Sequence, residues 1–410
     1  MSCLLLGGGF PARAQGVGRL DSLQVAYPFL NTAANHIENA TIGLQRFYQR
    51  LAQLPLYPTG LPSARVSVVH IGDSHLQADE FSGRTRQELQ RTYGNAGRGL
   101  VFPFHVAKAD GSHSFRTFNK GGRLWWSRRL LSRPDSTLPV GLSGFVLATT
   151  DSNAAFVLRI PPQPGPDYRF TRLTLLRQAS PTAFDWQVRT AQGRLLGQLP
   201  GAGPARPGPL LLDSLRSYVE LRTVRANPRQ TKAVLYGLLL ENGQSGVSYH
   251  TIGVNGAAVR HYNRAPLFFE QLPVLHPDLL IIPLGTNDAY DSSFNPDVFG
   301  QRLDTLVSQL RRRCPQAEVL LTAPADSYRA RRYRNPDLAR RRAVLRAYCQ
   351  AHDLAYWDFA AVQGGYGSIR AWQAHGLAQP DLVHFTTAGY QLQGLLLYLA
   401  LQDGFASYYR

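Results

Sequence analysis

Apolar and polar positions along this chain fall into three stretches with different periods. In the first, Leu44, Phe47, Tyr48 and Leu51 recur at i, i+3, i+4 and i+7, which predicts an amphipathic helix within 31–54. Pro55, Pro58, Gly60 and Pro62 then break the chain. The β-branched run at 66–71 predicts a strand covered on both faces of a parallel sheet, followed by a helix over 79–93 that Gly94, Gly97 and Gly99 end. The second stretch, 101–241, has brief strand-like runs at 156–160, 173–176, 184–188, 218–221 and 233–240, with Pro and Gly clustered at 161–166 and 200–209. Short strands so punctuated predict a β-sandwich or jelly roll. After Gly243 strands at 279–284, 318–323 and 355–357 alternate with helices at 298–312, 338–352 and 388–401, which predicts a parallel sheet flanked on both sides. The outer stretches then form one α/β domain.

Four polar islands interrupt this pattern: Gly72-Asp73-Ser74-His75, Thr251-Ile252-Gly253-Val254-Asn255-Gly256, Gly285-Thr286-Asn287-Asp288 and Asp381-Leu382-Val383-His384. A serine hydroxyl is a weak nucleophile at neutral pH and needs an imidazole to take its proton, with a carboxylate to orient that imidazole. The oxyanion it creates needs donors already in place. Ser74 with His384 and Asp381 supplies the first set, and the Ser74 and Gly256 backbone N–H groups with the Asn287 amide supply the second. Singly, each residue has another reading: Asp381 as a cap, His384 as a buried histidine, Asn287, Asp288, Gly253 and Gly256 as turn formers. Their joint order points to acyl transfer. Asp73 reads as a structural residue of the nucleophile loop. His75, Gln77 and Asp79 stand beside Ser74, and both substrate contact and helix-start packing remain open for them.

These islands resemble the catalytic blocks of the SGNH, or GDSL-type, hydrolases. Ser74 matches the first block, Gly256 the second, Asn287 the third, and Asp381 with His384 the last. The stretch HIGDSHLQADEFSGRTRQELQRTYGNAGRG at 70–99 is similar to the branch holding bacterial peptidoglycan O-acetylesterases, whose hydrolase domain is interrupted by a β-sandwich. The resemblance implies a flavodoxin-like three-layer α/β/α SGNH hydrolase domain with an inserted all-β sandwich, jelly-roll or carbohydrate-binding-module-like. The interval from Ser74 to Gly256 is too long for one loop of a compact domain. The expected divisions are 1–14, a truncated signal peptide; 15–100, the N-terminal helix and first part of the hydrolase domain; 101–241, the insert, folding separately; and 242–410, the remainder.

Length and composition, 410 residues with 44% hydrophobic, allow two packed domains. The net charge of +17 is almost wholly arginine, since Lys108, Lys120 and Lys232 are the only lysines. It reads either as attraction to an anionic polymer such as a cell-wall glycan or as arginine usage on ordinary solvated faces such as 329–346. No nucleic-acid-binding signature accompanies the charge. Cys3-Leu4-Leu5-Leu6 followed by Ala12-Arg13-Ala14 reads as a clipped secretory leader with its cleavage motif, or else as a frayed terminus. No apolar run approaches the roughly 20 residues of a membrane span. Cys314 and Cys349 are expected as free core thiols, with a disulfide the other possibility. His70, His105, His113, His250, His261 and His276 lack ligand spacing, so neither metal nor cofactor is called for. The resulting expectation is a secreted serine esterase that removes O-acetyl groups from an acetylated glycan, peptidoglycan first. An O-acetyltransferase with the same triad and a lipase or acylhydrolase of small esters are the alternatives. Trp125, Trp126 and Trp186 read either as sugar-stacking rings or as core aromatics.

Overall fold

The β-branched run forms the buried strand Arg65–Gly72, next to one edge of a six-stranded sheet. The computed structural model describes residues 9–54, 64–121, 125–204, 208–290 and 294–409. From one edge the sheet runs Gly246–Gly253, Arg65–Gly72, Leu279–Ile282, Glu318–Thr322, Ala355–Trp357 and Ile37–Glu38. All neighbours are parallel except the last pair. Counted along the chain, the parallel strands lie in the order 2-1-3-4-5, the flavodoxin-type winding.

Alternate residues of Arg65–Gly72 face two different cores. Val66 and Val68 join Leu89, Leu392 and Leu396 from helices Glu80–Tyr93 and Thr387–Tyr408. Val69 and Ile71 join Phe268, Leu303, Leu306 and Leu345 from the helices of the opposite face. The protein is therefore a three-layer α/β/α domain.

The interval between the first two parallel strands builds an all-β sandwich of antiparallel sheets. One is ordered Leu195–Leu199, Asp185–Arg189, Tyr218–Val224, Ala155–Arg159, Arg116–Gly121; the other Leu210–Arg216, Phe170–Arg177, Ala233–Glu241, Phe145–Thr149, Trp126–Arg129, with Gly99–Val101 on Ala233–Glu241. Its apolar interior, including Phe145, Leu147, Phe156, Leu175 and Leu238, is continuous with Val69, Ile71, Ile252 and Val254 of the α/β domain. The domain limits at 101 and 241 stay a proposal, and this shared core bears on how independently the insert can fold. Trp186 is buried against Phe156, and Trp125 stacks on it at 6.4 Å. Trp126, 45% exposed, is the one of the three open to a sugar.

Several elements differ from the sequence expectation. The strand Gly246–Gly253 was not foreseen, because Ser248, His250 and Thr251 break its apolar run; the fold buries Ser248 and His250, the latter with the Leu100 N–H, which donates to His250 Nδ1 at 3.1 Å, while half-buried Thr251 donates to Asp79. The helix expected over 31–54 is divided into a turn at Thr32–Ala34, the edge strand Ile37–Glu38 and helices Ala40–Gly43 and Gln45–Gln53. Gly43 lies against the sheet edge, where a Cβ would meet the Ala355 nitrogen at 2.6 Å. Of the leader, residues 1–8 lie outside the described residues, and Ala12-Arg13-Ala14 falls within helix Gly9–Ala26. Cys314 and Cys349 are free and buried. Among the described residues no helix is long and apolar enough to cross a membrane.

Asp79 joins these parts. Its carboxylate accepts both Nη groups of Arg86, at 2.9 and 2.8 Å, the hydroxyls of Ser82, Thr251 and Ser112, and Nη2 of Arg98. Arg86 Nε in turn donates to Tyr168 of the insert at 3.0 Å. Burial opposes ionisation of Asp79, but the two guanidinium groups outweigh it and hold the carboxyl well below its usual range. Asp79→Asn leaves two buried guanidinium groups without their counter-charge and is expected to cost about 3–5 kcal/mol in urea unfolding; a loss below about 1 kcal/mol would show that the cluster does not hold the layers together.

Candidate active site

The carboxyl ends of the first three parallel strands bring three of the islands to one edge of the sheet. Ser74 opens the short helix Ser74–Gln77 directly after Arg65–Gly72, with Asp73 as its N-cap accepting the His75 N–H at 3.1 Å. Gly256 follows Gly246–Gly253, and Asn287 follows Leu279–Ile282. In this winding the crevice lies where chain direction reverses, between the first and third strands. The fourth island arrives from the loop preceding helix Thr387–Tyr408.

Ser74 Oγ lies 2.9 Å from His384 Nε2, and His384 Nδ1 lies 2.7 Å from Asp381 Oδ2. Asp381 Oδ1 also accepts the backbone N–H groups of Val383 and His384, at 2.9 and 3.0 Å, so one carboxylate orients both the ring and the loop. Burial disfavours its charge, but the His384 ring and those N–H groups outweigh this and lower its pKa. Leu382 takes a left-handed conformation, φ 58°, between the two, and its carbonyl is held by the Tyr328 N–H at 2.9 Å. This strain in a bulky residue persists because hydrogen bonds on either side determine the loop. The half-exposed hydroxyl and imidazole can exchange a proton while an ester approaches from solvent.

The donors for an oxyanion are less simply arranged. As the first helical residue, Ser74 has an N–H without an intrahelical acceptor. Gly256 has φ 82°, which favours glycine, and a Cβ there would meet only the tip of the half-buried Leu131 side chain of the insert, at 2.8 Å. Asn287 reaches the site, but its Nδ2 donates to Asp73 Oδ2 at 3.1 Å and to the Ala257 carbonyl at 2.9 Å. Both amide protons are engaged, and binding an oxyanion requires the longer contact to yield. Asp288 is buried and accepts the Val259 N–H at 3.2 Å, tying the second island to the third.

The open readings for the neighbours of Ser74 now separate. His75 is buried beneath the catalytic loop, with ring centroid 5.3 Å from that of His384 and Nδ1 3.0 Å from the Tyr390 hydroxyl. Burial first, then His384, push its pKa down to about 3, so it stays neutral. Gln77 bridges loops: its Nε2 donates to the Asp110 carbonyl of the insert at 2.9 Å and its Oε1 accepts the Asn255 N–H. Tyr390 and Leu131 were not foreseen, and no local pattern marks either. Among the described residues no group of three or more His, Cys, Asp or Glu side chains could hold a metal.

Residues 217–392 match the GDSL-like Lipase/Acylhydrolase family, a span that contains Gly256, Asn287, Asp381 and His384 and begins inside the sandwich, after Ser74. A solved peptidoglycan O-acetylesterase is 22% identical and superposes with TM-score 0.72 over 88% of this chain and 96% of that one. The chain is a serine ester hydrolase, similar over 217–392 to the GDSL-like family. That likeness establishes the SGNH fold with its inserted sandwich. Two others are a family two carbohydrate esterase from Cellvibrio japonicus, 12% identical over 72% of this chain and 99% of that one at TM-score 0.32, and a lipase/acylhydrolase from Enterococcus faecalis, 22% identical over 38% and 77% at TM-score 0.30. No curated protein matches.

In this hydrolase, Asp73 lies buried next to Ser74, and burial raises its pKa to about 7, with Asp288 adding to the shift. Above the ordinary carboxyl value of about 4, the unfolded chain has lost this proton while the folded protein keeps it up to about 7, so folding stability falls as pH rises through that window. Asp73→Asn can keep the helix cap without a titrating proton. Its stability relative to wild type should therefore rise by more than about 1 kcal/mol between pH 4 and pH 8 in urea unfolding. A constant difference across that range would mean that Asp73 ionises normally.

Proposed function

We propose that this hydrolase removes O-acetyl groups from a cell-wall glycan, peptidoglycan foremost, outside the cytoplasm. The observation carrying the chemistry is the 2.9 Å contact between Ser74 Oγ and His384 Nε2, with Asp381 2.7 Å behind the ring. Ser74 Oγ attacks the acetyl carbonyl carbon and passes its proton to His384. The Ser74 and Gly256 N–H groups and the Asn287 amide, released from Asp73, receive the oxyanion. Collapse expels the sugar oxygen, which takes the proton from His384, and leaves acetyl-Ser74. Water then attacks with His384 again as base, and acetate departs. Support for the substrate comes from the overall fold shared with a peptidoglycan O-acetylesterase and from the arginine-borne charge, which suits an anionic wall polymer.

The decisive test is acetate release from O-acetylated peptidoglycan, against acetylated xylan and a p-nitrophenyl ester series, with Ser74→Ala as control. Wild type is expected to prefer peptidoglycan, to favour acetyl over butyryl esters because an unaccommodated methylene costs about 1–3 kcal/mol, and to lose at least about 10³-fold activity in the control. Preference for octanoyl or longer esters would exclude the glycan reading.

Asn287→Ala should lower kcat by about 10²–10³ with little change in KM, since the amide meets charge only as it develops. A change confined to KM would make Asn287 a ground-state contact.

A further inference from the structure

Beside the catalytic loop stands a surface that the acyl-transfer chemistry leaves unused. Strands Tyr328–Arg329 and Tyr333–Arg334 form a short antiparallel hairpin, and its turn residues Ala330 and Arg331 both adopt left-handed conformations, φ 50° and 58°. Tyr328 couples this hairpin to the loop. Its N–H donates to the carbonyl of Leu382, between Asp381 and His384; its hydroxyl accepts Arg334 Nε at 3.2 Å; and its buried ring lies 5.1 Å beneath the Arg370 guanidinium.

Outward from Tyr328, cations and rings interleave. The Arg334 guanidinium sits 5.1 Å over Tyr366 and that of Arg332 5.5 Å over Tyr333. These two tyrosines are 54% and 60% exposed. Arg331, Arg332, Arg334 and Arg370 are exposed and enter no ion pair among the described residues. Of the nearby carboxylates, Asp337 pairs with Arg329 and Arg340, and Asp326, which accepts the Ile369 N–H, offsets the charge of Arg334 in part. The shelf therefore presents an excess of positive charge, at Arg331, Arg332 and Arg370, together with aromatic faces.

We propose that the hairpin and the segment carrying Tyr366 and Arg370 form a subsite for a carboxylate-bearing glycan, holding it alongside the Asp381–His384 loop. Tyrosine faces suit the apolar faces of sugar rings, and guanidinium groups suit carboxylates through paired N–H donors. A neutral polysaccharide would use only the rings. The choice of ligand rests on the glycan-esterase reading above and narrows it to acidic polymers.

The test uses the full chain carrying Ser74→Ala, with and without Arg332→Ser, Tyr333→Ala and Arg370→Ser together, in cosedimentation with insoluble peptidoglycan stripped of its O-acetyl groups. The triple substitution is expected to weaken binding at least about tenfold in low salt and to flatten its salt dependence. Amidating the polymer's carboxylates should reproduce the loss with the unsubstituted protein. On a Ser74 background the same substitutions should leave kcat/KM for p-nitrophenyl acetate within about twofold. Arg332→Glu alone, at an exposed side chain, repeats the measurement if the triple variant fails to fold, and should weaken binding in the same direction. Unchanged binding in a folded variant, indifference to amidation, or parallel loss of small-ester activity would each overturn the subsite. Because the stripped polymer contains no ester, binding that persists where wild type releases no acetate would instead refute the esterase reading and leave the subsite standing.

Discussion

Everything at the candidate site depends on one parallel ladder. Arg65–Gly72 and Gly246–Gly253 pair without interruption from Arg65↔Gly246 to Gly72↔Gly253. Their last residues are level, so the loops that follow deliver Ser74 and Gly256 to the same edge. A slip of one residue would turn every side chain of the edge strand to the other face. It would carry Val247 and Tyr249 away from their core and move Ile252 out of the other. The register is thus set by apolar burial on two faces, and the position of Ser74 relative to Gly256 is a by-product of that burial.

Two carboxylates close to Ser74 show how surroundings decide what a buried charge does. Asp79 and Asp73 are both almost wholly buried. Asp79 faces Arg86 and Arg98 and is held ionised, while Asp73 has only amide and backbone donors beside a second carboxyl, Asp288, and its pKa rises. The first therefore acts as a fixed anchor among helix, sheet and insert. The second sits on the Asn287 amide, where its protonation state bears on how readily that amide is released. Preorganised donors stabilise an oxyanion because they need not reorient during reaction; here two of the three donors approach that condition and the third is still bound to the protein.

The insert shares in both arrangements. Leu131 closes on Gly256, Asp110 holds Gln77, and Ser112 and Tyr168 complete the Asp79 cluster. With its interior continuous with one face of the parallel sheet, the sandwich is a wall of the catalytic domain as well as a lobe beside it.

What the sequence by itself determined is whatever a short segment states in its own chemistry. The island 72–75 behind a β-branched run, the Asp381 and His384 spacing, and the change from helical to strand-and-turn periods near 101 and back near 243 all depend on neighbours in the chain, and all were legible there. The tertiary structure decided what residues far apart do to one another. His75 and Tyr390 are 315 positions apart, Asn287 and Asp73 are 214 apart, and the polar strand Gly246–Gly253 is a strand only because Arg65–Gly72 lies beside it. Burial satisfied by a distant partner leaves no periodic trace, so the neutral histidine under the catalytic ring, the engaged amide of Asn287 and the shared core could be read only from the folded chain.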